Sequence, residues 1–201
     1  MERSGQRMQF IEKQMPSLCE ENLKSEVKKM SKIKLIVPTI KYKDKALQFK
    51  KEFLDNNENV INGSELLDKT ESYEEWLQSV TNNADINTVN PEWVLTDTFF
   101  AVDDNDEIVG IIDLRHELNE FLQDFGNSGY SVRPSERRKG YATEMLRLIK
   151  EVAKRVGLDS LQLSVERSNE PSVKTIKKNG GLYERSFEFE GEIADVYKVK
   201  L

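Results

Sequence analysis

Cysteine and histidine are almost absent from this chain of 201 residues, in which Cys19 and His116 are the only examples of each. A single cysteine excludes a disulfide framework, and this pair argues against a zinc site built on these residue types. A cysteine-protease dyad would need both residues, which lie far apart in sequence. No apolar run approaches the roughly 20 residues that a membrane-spanning helix requires. We therefore predict neither a metal site nor a membrane partner.

Basic residues are also in the minority, with 30 Lys and Arg against 36 Asp and Glu and a net charge of −6. This balance argues against nucleic acid as the main partner. The N-terminus has scattered charges and no apolar core of a signal peptide, so we expect a cytoplasmic protein. We predict an N-terminal extension over residues 1–30, helical or disordered, and one domain over residues 31–201.

Hydrophobic periodicity and Gly or Pro punctuation predict an alternation of strands and helices along the domain. Ser72 is a good N-cap for the second helix, and residues 81–91 are predicted as a polar loop. The predicted order is strand 33–37, helix 42–56, helix 73–80, strands 93–102, 107–115 and 129–133, a helix from 140, strand 160–166, helix 169–179, and strands 182–189 and 193–201.

The segment from residue 129 to residue 150 predicts a phosphate-binding turn. Pro134 ends a strand because it has no N–H to donate, and a helix begins at Gly140. The first amides of a helix lack partners within the helix, and the peptide dipoles favour an anion there. Gly140 and Ala142 leave room for a ligand, and three successive basic residues, Arg137, Arg138 and Lys139, surround the turn.

The spacing Arg137-x-x-Gly140-x-Ala142 resembles the pyrophosphate loop [QR]-x-x-G-x-[GA] of the GNAT (GCN5-related) N-acetyltransferases. A solvated basic turn could carry the same residues, but the strand before it and the helix after it favour the family. The resemblance covers residues 32–201. It implies an α/β (α+β) GNAT acyl-CoA N-acyltransferase fold with a mixed central sheet of about six or seven strands and about four helices.

This resemblance implies that acetyl-CoA binds as cosubstrate where strands 129–133 and 160–166 splay apart. Strand 129–133 would pair with the pantetheine amides and polarise the thioester, and the loop amides would take the pyrophosphate. Thr143 would add a hydroxyl. The predicted cofactor-binding residues are Ser131, Val132, Arg137, Arg138, Lys139, Gly140, Tyr141, Ala142, Thr143, Asn169 and Ser172.

A second family landmark follows strand 160–166. The segment from Asn169 to Gly181 resembles N-x-x-[AS] followed by a helix, although Asn169 could equally serve only as a helix cap. Many members carry in this helix a tyrosine that protonates the leaving thiolate, and Ile176 occupies that position here. The predicted proton donor is Ser172, which resembles the serine of the RimJ/RimL-like branch, with Tyr183 as the alternative.

The proton acceptor for the attacking amine is predicted among His116, Glu117 and Glu166. A histidine can accept a proton at neutral pH without any tuning of its pKa, although a lone histidine at a strand end is often just a surface residue. The run from Arg115 to Asn119 resembles uncharacterised GNAT proteins that carry R-H-x-L-N before V-R-P-S-E-R. This resemblance suggests that the substrate enters near Arg115 and His116.

We therefore predict an acetyl-CoA-dependent N-acetyltransferase in which a primary amine attacks the thioester directly in a ternary complex. The acceptor would be a small amine, a protein N-terminus or a lysine. The alternative is an acyl-CoA-binding module or sensor without turnover, which Ile176 favours. A nucleotide-phosphate enzyme is disfavoured because the loop lacks Gly-Lys-Ser/Thr. Whether the chain forms a homodimer stays open.

Overall fold

The computed structural model describes residues 33–201, and the predicted extension over residues 1–30 lies outside this part of the chain. Seven strands and four α-helices of residues 33–201 follow one another in the predicted order. They are β1 (Lys34–Ile36), α1 (Lys43–Asp55), α2 (Tyr73–Asn83), β2 (Thr96–Val102), β3 (Ile108–Arg115), β4 (Tyr130–Val132), α3 (Tyr141–Arg155), β5 (Ser160–Glu166), α4 (Glu170–Lys178), β6 (Gly181–Phe189) and β7 (Glu192–Lys200).

The strands form two antiparallel sheets rather than one. The first has the order β1-β2-β3-β4 and the second has the order β5-β7-β6. Strands β4 and β5, predicted as neighbours, do not pair with each other. The two sheets are joined near this point by a single bridge between Gly126 and Leu163 and by the Asn127 N–H, which donates to the Gln162 carbonyl at 2.8 Å. The predicted α/β fold class is confirmed, and the division of the strands leaves an opening between β4 and β5.

Strand β3 lies at the centre of the protein with apolar contacts on both faces. Ile108 and Ile111 belong to the core that packs under α1 and α2, whereas Val109, Ile112 and Leu114 belong to the core under α3 and α4. This double burial explains why the strand is nearly continuous in apolar residues instead of alternating. Among residues 33–201, no helix combines the length and the apolar character needed to cross a membrane.

Two predicted boundaries need correction. Helix α2 continues to Asn83, so the first three residues of the predicted loop 81–91 are helical. Val80 and Asn83 are both buried on this helix, and their burial prolongs it past the polar residue Thr81. Strand β2 begins at Thr96 rather than at Trp93, because pairing with β3 starts between Thr96 and Arg115.

Gly63 fixes the segment between α1 and α2 against the start of β4. Its φ is 74°, and a Cβ at this position would overlap the Gly129 carbonyl and come within 2.9 Å of the Tyr130 nitrogen. Backbone cannot move aside as a flexible side chain can. The close approach of Gly63 to Gly129 therefore sets how the α1–α2 segment covers β4.

We expect Gly63→Ala to lower the free energy of unfolding by about 3 kcal/mol or more, from overpacking and from the positive φ. Gly191→Ala is the matched control, because Gly191 has a φ of 82° and no heavy atom within 4 Å of its added Cβ. The control should lose only the smaller conformational part, about 1–2 kcal/mol. Urea denaturation measures both values, and equal losses in the two variants would contradict the role given to Gly63.

Candidate active site

The opening between the sheets presents main-chain groups of β4 to a ligand. The Arg133 N–H donates to the Val109 carbonyl, and the Asp113 N–H donates to the Gly129 carbonyl. Arg133 and Gly129 therefore direct their main-chain groups toward β3. Antiparallel pairing alternates, and the main-chain groups of Tyr130 and Val132 therefore face away from β3, whereas those of Ser131 face β3. Of the two strand residues predicted to contact the cofactor, Val132 has its main chain toward the opening.

The loop after β4 ends in an uncapped helix N-terminus. Gly140 is the N-cap of α3, with a φ of 91° and no side-chain hydrogen bond to cap the helix. A Cβ on Gly140 would meet nothing within 4 Å, and Arg138 also has a positive φ of 65°. The N–H groups at the start of α3 have no partner within the helix, so they are available to an anion.

Two glutamates contact the loop between β4 and α3: Glu52 on α1 and Glu58 just after it. Arg137 donates through both terminal nitrogens to the Glu58 carboxylate at 2.7 and 2.6 Å, and its guanidinium lies 5.6 Å from the Phe53 ring centre. The Arg137 hydrogen bond lowers the pKa of Glu58. Glu52 accepts from the Arg133 Nε and, at 2.7 Å, from the Ser135 N–H. These contacts stabilise the loop conformation before any ligand binds.

The three basic residues of the loop therefore differ in their surroundings. Arg137 is paired with Glu58, and Lys139 donates to Glu136 at 2.8 Å. Arg138 is exposed and forms no ion pair with any residue of the described chain. Of the three basic residues that surround the turn, Arg138 is therefore the one whose charge is least engaged by carboxylates.

Helix α4 carries the hydroxyl groups of Ser172 and Thr175 but no tyrosine. The Asn169 side chain accepts from the Ser172 N–H at 3.2 Å, so Asn169 caps this helix. Ile176 is almost fully buried, and a Cβ on Gly181 would clash with its side chain. A tyrosine at position 176 would therefore meet the core rather than the opening. Ser172 is half-buried near the helix start.

A cavity of about 520 Å³ lies at the opposite end of β4 from the loop. Its walls come from the α1–α2 segment, the segment before β2, the end of β3 and the segment after it. Apolar and charged groups both line it. Its acidic side chains are Glu65, Asp68, Glu92 and Asp113, its basic ones are Lys69 and Arg115, and its exposed apolar ones include Leu66, Trp93 and Phe121.

Glu65 and Asp113 form a buried carboxyl pair on the wall of this cavity. Asp113 is completely buried, accepts from the Gly129 N–H and binds the Arg115 guanidinium at 2.7 Å. Burial raises its pKa. The pKa of Glu65 is raised to about 7, mainly by burial and to a smaller extent by the nearby charge of Asp113. Asn83 donates to Glu65 at 3.5 Å, and Arg115 lies 3.9 Å from it.

The backbone around Glu65 is strained. Glu65 and Leu66 follow one another with φ values of 49° and 68°, a region that residues other than glycine rarely occupy. Their neighbour Ser64 is fully buried and its carbonyl accepts from the Trp76 indole at 2.8 Å. The Trp76 bond and the Gly63 contact hold this segment, so the Glu65 carboxyl is fixed beside Asp113.

The predicted proton acceptors lie elsewhere. His116 is hydrogen-bonded to Asp97 at 2.9 Å and does not line the cavity, and Glu117 is exposed. Glu166 is exposed at the end of β5. Tyr183, the alternative proton donor, is 57% exposed on β6 and shares a hydrogen bond with Ser186. His116 and Glu117 thus follow β3, whereas Glu166 and Tyr183 lie on strands of the second sheet.

Sequence reasoning missed Glu65 and Asp113. Asp113 offered one signal, because a carboxylate inside an apolar central strand must be compensated by a partner. Nothing local marked Glu65, whose position depends on the packing of the α1–α2 segment. Within residues 33–201, no group of three or more His, Cys, Asp or Glu side chains is arranged to hold a metal ion.

Comparison with known families decides the class of this protein. Residues 35–181 match the model of the acetyltransferase (GNAT) domain. The chain belongs to the GNAT acetyltransferase family. The reaction of the family is acetyl transfer, and acetyl-CoA is the cosubstrate. The uncapped amides at the start of α3 and the open space at Gly140 fit its pyrophosphate.

Solved structures with the same fold include several GNAT acetyltransferases. RimL, a ribosomal alpha-N-protein acetyltransferase in complex with coenzyme A, aligns with a TM-score of 0.62 at 14% identity over 84% of this chain and 94% of its own. A GNAT acetyltransferase from Streptococcus pneumoniae gives 0.61 at 18% identity, covering 85% and 100%. The structure of yncA, a proposed acetyltransferase from Salmonella typhimurium with its cofactor acetyl-CoA, gives 0.59 at 14% identity, covering 84% and 94%. No curated protein matches this chain in sequence.

Proposed function

We propose that this protein transfers the acetyl group of acetyl-CoA to a primary amine bound in the cavity at the start of β4, and that Glu65 accepts the amine proton. The observation that carries the proposal is the position of the two sites. The anion-binding loop follows β4 and the cavity adjoins Gly129, which precedes β4. A pantetheine arm along β4 would therefore carry the acetyl group from the loop toward the cavity.

Electrostatics support an amine as the acceptor. Four carboxyl groups and two basic groups line the cavity, and Arg115 is already occupied by Asp113. An amine enters as ammonium near neutral pH and must lose a proton before its nitrogen can attack the thioester. The pKa of Glu65 is raised to about 7. Its carboxylate is therefore a stronger base than an ordinary glutamate, and it is still partly ionised at neutral pH, so it can accept this proton.

The amine nitrogen would attack the thioester carbon directly. The only cysteine of the chain is Cys19, outside the described residues, and no covalent acyl-enzyme is needed when both substrates are held together. Holding the two reactants side by side can contribute about 7 kcal/mol or more to the rate. The main-chain N–H groups of β4 that face the opening would polarise the thioester carbonyl.

The test combines calorimetry with a turnover assay. Acetyl-CoA should bind, and thiol release from acetyl-CoA, followed with dithionitrobenzoate, should depend on one class within a panel of aliphatic amines, aromatic amines, lysine peptides and peptide N-termini. Amines with an apolar body should lead the panel, because Leu66, Trp93 and Phe121 expose apolar surface in the cavity. Failure to bind acetyl-CoA would remove the proposal.

The alternative function, an acyl-CoA sensor without turnover, is favoured by one observation. Ile176 stands where many family members carry a proton-donating tyrosine, and its burial means that it takes no part in the chemistry. Tight acetyl-CoA binding combined with no thiol release for any amine would support the sensor and contradict the transferase.

A further inference from the structure

A buried hydroxyl group without a hydrogen-bond partner belongs to β4, the strand that borders the opening. The Tyr130 hydroxyl is buried, yet it has no hydrogen-bond partner among the residues that the structure describes. A buried polar group without a partner costs free energy, so such a group calls for an explanation. Tyr130 is a residue of β4, and no sequence motif assigns it a chemical role beyond forming that strand.

Tyr130 packs beside α4, the helix in which Ile176 stands at the position of the family's tyrosine. Its ring packs against the core that contains Tyr141, Met145 and Ile176, on the side of the first sheet that faces α3 and α4. Burial raises the pKa of Tyr130, and the nearby hydroxyls of Ser172 and Thr175 partly oppose this. The Tyr130 hydroxyl therefore lies beside the first two turns of α4.

We propose that the Tyr130 hydroxyl donates a hydrogen bond to the sulfur of coenzyme A and stabilises the thiolate as it leaves. The proposal rests on the proposed function, because it assumes that the pantetheine arm lies in the opening. Strand β4 would then supply the main-chain groups that hold the cosubstrate. It would also supply the hydroxyl that stabilises the thiolate, which Ile176 of α4 cannot do.

The chemical step balances without a further reactant. The amine nitrogen forms a bond to the thioester carbon, the carbon–sulfur bond breaks, and the sulfur leaves with the electron pair of that bond. The ammonium nitrogen loses one proton to Glu65 before it attacks and a second proton to water as the carbon–sulfur bond breaks, and the departing thiolate is protonated by water. A tyrosine hydroxyl has a pKa near 10 and a thiol has one near 8.5, so Tyr130 stabilises the thiolate as a hydrogen-bond donor and keeps its own proton.

We expect Tyr130→Phe to lower kcat by about a hundredfold, since it removes a donor that acts on charge developing in the transition state. The KM for acetyl-CoA should change less than about twofold, because the thioester sulfur of the bound substrate carries no charge. Tyr197→Phe is the matched control, since Tyr197 is a buried tyrosine of the same core on β7. Ser172→Ala tests the donor predicted from sequence.

A binding experiment tests the same contact without any acceptor amine. Calorimetry should show that the affinity of the wild-type protein for CoA, relative to desulfo-CoA, rises as the pH approaches the thiol pKa near 8.5. Tyr130→Phe should lose this rise, because nothing then favours the thiolate. A donor that contacts sulfur predicts this difference, whereas a tyrosine that only fills space does not.

Three results would overturn the proposal. They are a full kcat in Tyr130→Phe, a loss in Ser172→Ala that Tyr130→Phe does not share, and a CoA affinity in the wild-type protein that does not respond to pH relative to desulfo-CoA. Failure of the proposed function looks different. If no amine is acetylated but the pH effect on CoA binding depends on Tyr130, the transferase proposal fails while the sulfur contact stands.

Discussion

Replacing Glu65 with Gln should lower kcat/KM for the amine by about 10²–10⁴-fold, because the amide cannot accept the proton of the attacking ammonium. The substitution keeps the shape of the side chain and leaves acetyl-CoA binding intact. In the wild-type protein, kcat/KM should rise as Glu65 ionises at a pH of about 7. This rise should disappear in Glu65→Gln. Steady-state measurement of kcat/KM for both proteins between roughly pH 5.5 and 8.5 tests this expectation.

Stability gives an independent check on the same carboxyl group. The pKa of Glu65 rises from 4.5 to about 7 on folding, so between these values the folded protein holds a proton that the unfolded chain releases. Stability contributed by this proton is therefore lost as the pH rises from 4.5 to 7. We expect Glu65→Gln to melt at a higher temperature than the wild-type protein at pH 8 and to show a smaller difference at pH 5.

Two exposed carboxylates separate this assignment from the one predicted from sequence. Glu117→Gln and Glu166→Gln should keep nearly full activity, because both side chains lie in solvent and neither lines the cavity. If either one abolished the rise with pH while Glu65→Gln kept it, Glu65 would not be the proton acceptor. His116→Gln extends the comparison to the histidine that binds Asp97.

The order of strands and helices could be predicted because local signals determine it. Apolar periodicity distinguishes the helices from the strands, and Pro134, Gly140 and Gly157 mark ends that no tertiary contact has to supply. The anion-binding loop is local in the same sense, since its amides, its glycine and its basic residues lie within one turn of chain. Its cosubstrate could therefore be predicted from that stretch.

The acceptor side of the site is different because it depends on contacts between distant segments. Glu65 reaches Asp113 only because Gly63 can lie directly against Gly129 and because Trp76 holds the Ser64 carbonyl. None of these contacts leaves a periodic signal. His116 was predicted as a base from its residue type, but residue type does not reveal that its ring is engaged by Asp97. The pKa of a side chain depends on burial, which a sequence does not show directly.

Replacing Gly140 with Asp should weaken acetyl-CoA binding by about a hundredfold or more. The new carboxylate would lie at the start of α3, where it repels the pyrophosphate and competes with it for the free amides. Hydrogen bonds to charged groups contribute about 1.5–3 kcal/mol each, so the loss of one or two such bonds produces an effect of this size. Isothermal titration with acetyl-CoA measures the change.

The other end of the same helix provides the control. Gly157 follows α3, has a φ of 89° against 91° for Gly140, and likewise has no heavy atom within 4 Å of an added Cβ. Gly140→Asp and Gly157→Asp therefore introduce the same charge and comparable backbone strain, and each should destabilise the fold modestly. Only Gly140→Asp should impair binding, because the free N–H groups are at the N-terminal end of the helix. Equal affinity for acetyl-CoA in the two variants would show that the pyrophosphate is held elsewhere, and it would remove the basis for placing the pantetheine arm along β4.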